Sequence, residues 1–351
     1  MVYDYVEDRK PPREINHNET AMKSPELMTA TAIAHPNIAF IKYWGNRDDA
    51  LRLPCNSSLS SNLAGLETRT TVRFDPSYTE DRFSLAGKAQ EGASLKRVAD
   101  FLDLVRSTAK QDIYAQVDST NNFPAGAGIA SSASAFAALA LAASTAIGLN
   151  LSESQLSRLA RRGSGSASRS IPDGFVHWQA GEGDADSFAY SIAPADHWHL
   201  IDLICVLDTG HKAVGSTAGH ALAHTSHLHA LRQERVSERV ELCRKAILER
   251  DFALFAEVVE EDSEFMHAVM RTSTTPLIYW LPDTEIILWQ VKQWRKAGRA
   301  LCCTVDAGPN VHVLTLKNEV GWALQELGKL PGVRQIYQAG VGQGARLVDD
   351  H

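Results

Sequence analysis

The sequence predicts an α+β protein made of two domains or of one large bilobed unit. Its 351 residues exceed the usual size of one domain. From Thr29 onward, short β-rich segments alternate with segments whose apolar residues recur at helical spacing. With 44% hydrophobic residues, the chain can bury a sizeable core. We place an extension at 1–27, a first domain at 28–197 and a second domain at 198–351.

The composition excludes several classes of protein. A formal net charge of -7 gives no basic footprint for nucleic acid. The most apolar run, at 135–149, is shorter than the roughly 20 residues that span a bilayer, and the N-terminus lacks the apolar stretch of a secretory signal. Five cysteines without a C-x-x-C pair suggest neither a disulfide framework nor a zinc site. We therefore expect a cytoplasmic protein without nucleic-acid or membrane partners.

The individual elements follow from local patterns. Strand-like alternation or short apolar runs predict strands at 29–44, 68–75, 112–117, 173–179, 199–208, 300–308 and 311–316. Apolar residues at helical spacing predict helices at 93–109, 131–147, 152–162, 217–248, 251–270, 283–297 and 318–329. Gly148 is a C-cap signal that ends the second of these helices.

The segment NNFPAGAGIASSASAF, residues 121–136, has the composition of a phosphate-binding loop. Gly126 and Gly128 form a turn that opens onto a helix whose first turn carries Ser131 and Ser132. Backbone N–H groups at a helix N-terminus, with small hydroxyl side chains, suit a polyphosphate. No Gly-Lys-Ser/Thr follows, so the segment is not a Walker A sequence. A glycine turn with serine caps on a core helix explains the composition equally well.

A second cluster, GSGSASRS at 163–170, combines small residues and hydroxyls with the fixed cation Arg169. An arginine fork suits a phosphate or a carboxylate. Read alone, the cluster is as consistent with a flexible polar turn. Two such clusters in one chain favour phosphate chemistry.

Two charged residues stand in apolar surroundings. Lys42 lies within a predicted apolar strand, where it is either a snorkelling edge residue or a cation of a site. Asp306 ends the strand of 300–308 immediately before a Gly-Pro-Asn turn. Strand-end carboxylates of this kind form turns as well as catalytic groups.

Together these segments resemble the mevalonate diphosphate decarboxylase family of the GHMP kinase superfamily. The motifs NIAFIKYWGNRD, LPCNSSLS, NNFPAGAGIASSASAFAAL, ARRGSGSASRS and DAGPN are similar to that family's signature blocks and occur in the same order. Weaker similarity covers most of 29–340. The resemblance implies a GHMP kinase fold: a first domain of the ribosomal protein S5 domain 2-like type, a C-terminal α/β sandwich and an active site in the cleft between them.

The resemblance also implies a reaction. In that family ATP phosphorylates the tertiary 3-hydroxyl of mevalonate 5-diphosphate, the 3-phosphate leaves, and the resulting cation character drives loss of CO₂. ATP with Mg²⁺ is implied, because phosphoryl transfer needs charge neutralisation. No protein ligand for the metal is assigned. The family also implies a homodimer and a phosphorylated mevalonate as substrate.

The resemblance assigns roles residue by residue. Asp306 would be a general base or an orienting anion near the 3-hydroxyl, and Lys42 would offset developing charge beside it. Arg169 would hold the substrate's C1 carboxylate, and Ser132 the γ-phosphate or the substrate. The implied ATP-binding residues are Asn122, Pro124, Gly126, Gly128, Ala130 and Ser131. The implied contacts of the substrate phosphates are Tyr43, Asn46, Arg97, Ser164 and Ser166.

One position departs from the family pattern. The usual KYWGKRD reads KYWGNRD here, so Asn46 replaces a lysine that in the family contacts the substrate diphosphate. The change removes a charge-assisted contact of roughly 1.5 to 3 kcal/mol. A substrate with one phosphate fewer would lose less. We therefore favour decarboxylation of mevalonate 5-phosphate to isopentenyl phosphate, with the diphosphate reaction as the alternative.

Three further hypotheses are compatible with parts of the sequence. His220, His224 and His227 fall at i, i+4 and i+7 and could present a metal-binding helix face, although no carboxylate or cysteine completes the set. A mevalonate 3-kinase would stop before CO₂ loss, but retention of Lys42 and Asp306 argues for the decarboxylase. A non-catalytic sensor is disfavoured because such a protein is expected to lose the carboxylate or the phosphate loop.

Overall fold

The computed structural model describes residues 28–124, 129, 131–208, 210 and 215–349. The strands are β1 (Met28–Ala34), β2 (Asn37–Ile41), β3 (Asn46–Asp48), β4 (Leu53–Pro54), β5 (Ser58–Asn62), β6 (Thr68–Phe74), β7 (Arg82–Leu85), β8 (Lys88–Ala89), β9 (Ala115–Asn121), β10 (Phe175–Trp178), β11 (Ala189–Ala193), β12 (Leu200–Val206), β13 (Leu301–Thr304), β14 (Val311–Leu316), β15 (Gln335–Gly340) and β16 (Arg346–Val348). The α-helices are α1 (Gly92–Ala109), α2 (Ser131–Ala146), α3 (Glu153–Gly163), α4 (Ser216–Leu222), α5 (His229–Glu249), α6 (Phe252–Thr272), α7 (Pro282–Lys296) and α8 (Val320–Leu327). Short 3₁₀ helices occur at Gly165–Ser170, Ala223–Thr225 and Lys317–Glu319.

Three sheets organise these elements. The first has the order β16-β1-β6-β9-β7-β8 and is antiparallel except where β7 pairs with β9. The second has the order β11-β10-β5-β2, and the third has the order β13-β14-β12-β15. A separate hairpin pairs β3 with β4. Because β16 pairs with β1, the end of the chain returns to the first sheet rather than staying with the second predicted domain.

Helix α2 packs against β1 and β6 of the first sheet. Its sequence is largely alanine, and most of its residues are buried. Small side chains let the helix lie close to the sheet, and burial on all sides accounts for its lack of an amphipathic pattern. The helix begins at Ser131, so its N-terminus is fixed by this core.

Helices α5 and α6 join the two halves of the molecule. Their apolar residues share one core with β2, β5 and β10 on one side and with β12 and β14 on the other. Phe40 of β2, for example, meets the ring of Phe255 edge-on at 4.9 Å between centroids. This continuous core fixes the position of the end of β2 relative to the C-terminal half.

A buried ion pair holds the chain at Lys42, immediately after β2. Arg232 of α5 and Asp262 of α6 lie 3.2 Å apart, and both side chains are fully buried. The backbone N–H of Lys42 donates to Asp262 at 2.7 Å, and its carbonyl accepts from Arg232 and from Asn56, each at 2.9 Å. Lys42 therefore lies outside the strand in which it was predicted, because side chains bind its backbone.

The long helix predicted at 217–248 is interrupted. Helix α4 passes into the 3₁₀ helix at 223–225, and α5 begins only at His229. The hydroxyl of Ser226 accepts the N–H of Leu228 at 3.1 Å and contacts Thr272 at 2.6 Å. Such local serine bonds compete with helical ones. The strand predicted at 112–117 is also displaced to Ala115–Asn121, and eight strands were not predicted: β3, β4, β5, β7, β8, β11, β15 and β16.

The Arg232–Asp262 pair gives a test of this arrangement. Asp262→Ala leaves a buried guanidinium without its partner, and Lys42 loses one backbone bond. We expect the free energy of unfolding to fall by about 3 to 5 kcal/mol in denaturant titrations. Asp100→Ala is the matched control, because the Lys96–Asp100 pair is exposed and should cost less than about 1 kcal/mol. Equal losses of unfolding free energy in both variants would show that the Arg232–Asp262 pair does not stabilise the chain at Lys42.

Candidate active site

A polar cavity of about 350 Å³ lies between the two halves. The N-terminal half contributes the chain after β2, the start of α2 and the 3₁₀ helix Gly165–Ser170. The C-terminal half contributes α4, part of α6 and the loop after β13. The volume is within the range of small-molecule sites.

Lys42 and Asp306 form an ion pair in this cavity. The ammonium Nζ donates to Asp306 Oδ1 at 2.6 Å; the lysine side chain is 2% exposed and the carboxylate 30% exposed. Burial would raise the pKa of Asp306, but Lys42, followed by His312 and Arg169, outweighs burial and holds that pKa below its usual value. Burial lowers the pKa of Lys42, and Asp306 opposes that change. The pair thus presents an ionised carboxylate to the cavity.

Helix α6 fixes the loop that carries Asp306. The N–H of Val305 donates to the Ser263 hydroxyl at 3.0 Å, and the carbonyl of Val305 accepts from His267 Nε2 at 3.1 Å. The carbonyl of Asp306 itself accepts the N–H of Gly308 at 2.7 Å, which closes the turn predicted from Gly-Pro-Asn. The carboxylate is therefore held by its backbone as well as by Lys42.

Arg169 is a buried cation without a carboxylate partner among the residues that the structure describes. Its guanidinium donates to Asn37 Oδ1 at 3.2 Å and to the Ser58 hydroxyl at 2.8 Å, and lies over the Trp178 ring at 5.8 Å. Burial lowers its pKa to about 10, so the group stays charged at neutral pH, and Asp306 opposes the change. A buried cation held only by neutral groups suits an anionic ligand.

The ring of Tyr43 forms one wall of the cavity. It stacks on His220 at 4.1 Å and meets Trp178 edge-on at 4.8 Å between centroids. Gly165 leaves room for it, because a Cβ there would lie 2.6 Å from the ring. The tyrosine hydroxyl donates to the side-chain oxygen of Asn46.

The predicted hydroxyl clusters meet at the cavity. Ser131 and Ser132 open α2, and the Ser132 hydroxyl lies 3.2 Å from that of Ser164. Ser164 and Ser166 line the same space. Within the segment 163–170, residues Gly165–Ser170 form a largely buried 3₁₀ helix and not a polar turn. An N-terminus of α2 with adjacent hydroxyls is suited to phosphate groups.

The three histidines that could have shared one helix face do not do so. His220 is in α4, His224 in the 3₁₀ helix and His227 in the turn before α5, because Ser226 interrupts the helix. No group of three potential ligand side chains occurs in the described part of the chain. His220 Nδ1 accepts the N–H of Gly45 at 3.0 Å, and burial, with nearby arginines, lowers its pKa to about 3. It is a neutral wall residue.

Several predicted site residues do not line the cavity. Asn46 is bonded to Tyr43 and Asp49. The exposed Arg97 donates to the carbonyl of Gly163 at 2.8 Å. Asn122 bonds the backbone of Glu67 and Gly65, and Pro124 is outside the lining residues. Gly126, Gly128 and Ala130 lie outside the described residues.

Sequence reasoning missed other contributors. Arg52 lines the cavity, and three supporting groups act through backbone or charge: Arg232, Asp262 and His267. A single sequence gives little indication that Arg232 and Asp262 form a buried ion pair, because charged residues on amphipathic helices usually face solvent. Lys42, Arg52 and Arg169 face the single lining carboxylate Asp306 within the described part of the cavity, so two positive charges are uncompensated there.

The fold and this cavity define a class: a two-domain α+β protein of the GHMP kinase superfamily. Residues 34–189 match the model of the diphosphomevalonate decarboxylase-like N-terminal domain, and residues 202–343 match that of the mevalonate 5-diphosphate decarboxylase C-terminal domain. The chain belongs to the diphosphomevalonate decarboxylase family. It is an ATP-dependent carboxy-lyase of the mevalonate pathway, as the resemblance implied.

Individual relatives agree with this assignment. The diphosphomevalonate decarboxylase of Rattus norvegicus is 40% identical over 86% of this chain and 80% of its own length. A crystal structure of mevalonate diphosphate decarboxylase from Staphylococcus aureus is 37% identical, with a TM-score of 0.87, covering 92% of this chain and 98% of the other. A structure described as MDDEF in complex with MVAPP, AMPPCP and magnesium is 40% identical, with a TM-score of 0.86, covering 93% and 100%.

These relatives bear on the expected substrate. They are named for the diphosphate, so they support the alternative substrate better than the monophosphate favoured from Asn46.

As for membranes, none of the helices in the described ranges is both long and apolar enough to span a bilayer.

The support of Asp306 by His267 predicts a dependence of stability on pH. Burial lowers the pKa of His267 to about 3, against an unfolded value near 6.5. The unfolded chain therefore binds a proton that the folded chain rejects, and this stabilising contribution, complete above pH 6.5, is lost as pH falls. We expect the stability difference between wild type and His267→Gln to shrink by about 1.4 kcal/mol per pH unit between pH 6 and 4. A difference independent of pH would contradict a neutral buried His267.

Proposed function

We propose that this protein decarboxylates mevalonate 5-diphosphate to isopentenyl diphosphate, using ATP with Mg²⁺ to phosphorylate the 3-hydroxyl. The observation that carries the proposal is the Lys42–Asp306 pair beside Arg169 in a cavity with excess positive charge. Anionic substrates suit such a cavity, even though the whole chain has a net charge of -7. The relatives named for the diphosphate support the choice of substrate.

Asp306 would orient the 3-hydroxyl by accepting its hydrogen bond. Because Lys42 holds the pKa of Asp306 low, the carboxylate is a weak base at neutral pH. Its lasting negative charge favours the positive character that develops at C3 once the phosphate leaves. Arg169 would hold the C1 carboxylate until CO₂ departs, since its guanidinium lacks a carboxylate partner among the described residues.

The start of α2 would hold the transferring phosphate of ATP. The hydroxyls of Ser131 and Ser132 and the helix N-terminus suit its charge. Mg²⁺ would arrive with the nucleotide phosphates, which supply hard oxygen ligands and are neutralised by the ion. The parts that Gly126, Gly128, Ala130, Asn122 and Pro124 play in ATP binding stay predictions, as do cytoplasmic location and the homodimer.

A second candidate substrate, mevalonate 5-phosphate, is favoured by Asn46 alone. This side chain carries no charge for a second phosphate and is bonded to Tyr43 and Asp49. We expect kcat/KM for the diphosphate to exceed that for the monophosphate by about tenfold or more, measured as ATP-dependent CO₂ release at saturating ATP. Formation of ADP without release of phosphate or CO₂ would indicate a 3-kinase instead. A preference for the monophosphate would reinstate the second candidate.

The role of Asp306 is tested by Asp306→Asn, which keeps the size of the side chain and removes its charge. We expect kcat to fall by more than about 100-fold, because both the orientation of the hydroxyl and the stabilisation of developing charge are lost. The Kd of ATP, measured by calorimetry, should change less than about twofold. Unchanged turnover in a folded variant would refute the assignment.

A further inference from the structure

Arg52 is a cation of the cavity to which neither the sequence motifs nor the reaction assigns a role. It lines the cavity, and its Nε donates to the carbonyl of Arg162 at 3.0 Å. Among the described residues, no carboxylate oxygen lies within 4.0 Å of the guanidinium nitrogens of Arg52, so the side chain forms no ion pair there. Its two terminal nitrogens therefore keep the paired donors that suit a phosphate or a carboxylate.

The hairpin of β3 and β4 determines where Arg52 lies. Asn46 begins β3, and Arg52 immediately precedes Leu53 of β4, which pairs with Asp48. The backbone of Arg52 is left-handed, with φ of 50°, at the end of the turn that joins the strands. Asn46 in β3 and Arg52 in the turn before β4 thus belong to one short hairpin.

The electrostatic neighbours of Arg52 place it at the Tyr43 end of the cavity. After the effect of burial, which raises the pKa of Tyr43, Arg52 is the leading charge that lowers it. Arg52 likewise follows burial in lowering the pKa of His220, the residue stacked on Tyr43. Asp306, by contrast, is influenced mainly by Lys42, His312 and Arg169. Arg169 also lowers the pKa values of Tyr43 and His220, with a smaller effect than Arg52, so both cations act on the Tyr43 end of the cavity and Arg169 acts on Asp306 as well.

We propose that Arg52 binds the 5-phosphoryl end of the substrate and supplies the positive charge that Asn46 lacks. Arg169, beside Asp306, serves the carboxylate end of the mevalonate, and Arg52, beside Tyr43, serves the phosphate end. A cation at position 52 can replace the family's lysine at position 46, because both positions lie near Tyr43. The side chain of residue 46 reaches the Tyr43 hydroxyl, and the charge of Arg52 acts on that same tyrosine. This inference rests on the proposed function.

The test is Arg52→Gln, measured with mevalonate 5-diphosphate and with mevalonate 5-phosphate. Loss of one charge-assisted contact should raise KM about 10- to 100-fold for at least one of them. The KM of ATP should change less than about twofold and kcat less than about threefold, since Lys42, His312 and Arg169 are the charges that act most on Asp306. A larger effect on the diphosphate assigns Arg52 to the outer phosphate, and equal effects assign it to the inner one.

Two further variants separate binding from a structural role. Arg47→Gln removes a cation from the same hairpin whose side chain bonds the carbonyls of Pro54 and Ala180 and does not line the cavity; its KM values should match wild type. Adding Asn46→Lys to Arg52→Gln restores a cation without restoring the bond to Arg162. If Arg52→Gln raises KM a hundredfold, we expect the KM of the double variant to be at least tenfold lower than that of Arg52→Gln.

Other results would overturn the proposal. These are a KM for both substrates within twofold of wild type in Arg52→Gln, an equal rise in the KM of ATP, or no recovery in the double variant. Calorimetry of the two phosphorylated mevalonates without ATP keeps the inference separate from the reaction. If wild type releases no CO₂ from either compound, the proposed function fails, while a Kd that rises at least tenfold in Arg52→Gln still supports Arg52 and an unchanged Kd excludes it.

Discussion

The active cavity depends on the buried Arg232–Asp262 pair and its hold on the backbone of Lys42. Two charges removed from water need hydrogen bonds beyond their own attraction, and here the peptide groups of Lys42 and the side chain of Asn56 provide most of them, with Arg232 Nε left without a partner among the described residues. The pair lies on two adjacent helices that share the core with β2. The position of the lysine is therefore determined by the packing of both halves of the molecule.

Fixing Lys42 determines the state of Asp306. With the backbone of Lys42 immobilised, only the side chain of this residue remains to be ordered when its ammonium donates to the carboxylate at 2.6 Å. Asp306 stays ionised although burial opposes it, and it is supported from behind by Ser263 and His267 of α6. One helix thus holds both partners, the lysine through Asp262 and the aspartate through its loop.

The sequence predicts what is local and misses what requires packing. Helix α2 and the strand that ends before Asp306 follow from pattern, because apolar periodicity and turn residues act over a few positions, whereas the end of β2 before Lys42 was not predicted. The break at Ser226 combines a local bond to Leu228 with a contact to Thr272, 46 positions away, and a serine alone does not reveal it in the sequence. Arg52 was missed for the same reason, since a lone arginine in a turn is ordinarily solvated. The family resemblance supplied the site by motif and therefore could not supply a residue outside the motifs.

The two kinds of charged contact in this cavity differ in how much displacement they tolerate. Lys42 and Asp306 act on one reacting centre, so their geometry must be held within fractions of an ångström, and several buried bonds hold it. A phosphate chain is larger and presents several equivalent oxygens, and a long arginine can reach it from different backbone positions. A cation can therefore move from residue 46 to residue 52 within one hairpin while the carboxylate centre stays unchanged. The departure from the family motif at Asn46 is then a change in where the charge originates, and it does not by itself imply a smaller substrate.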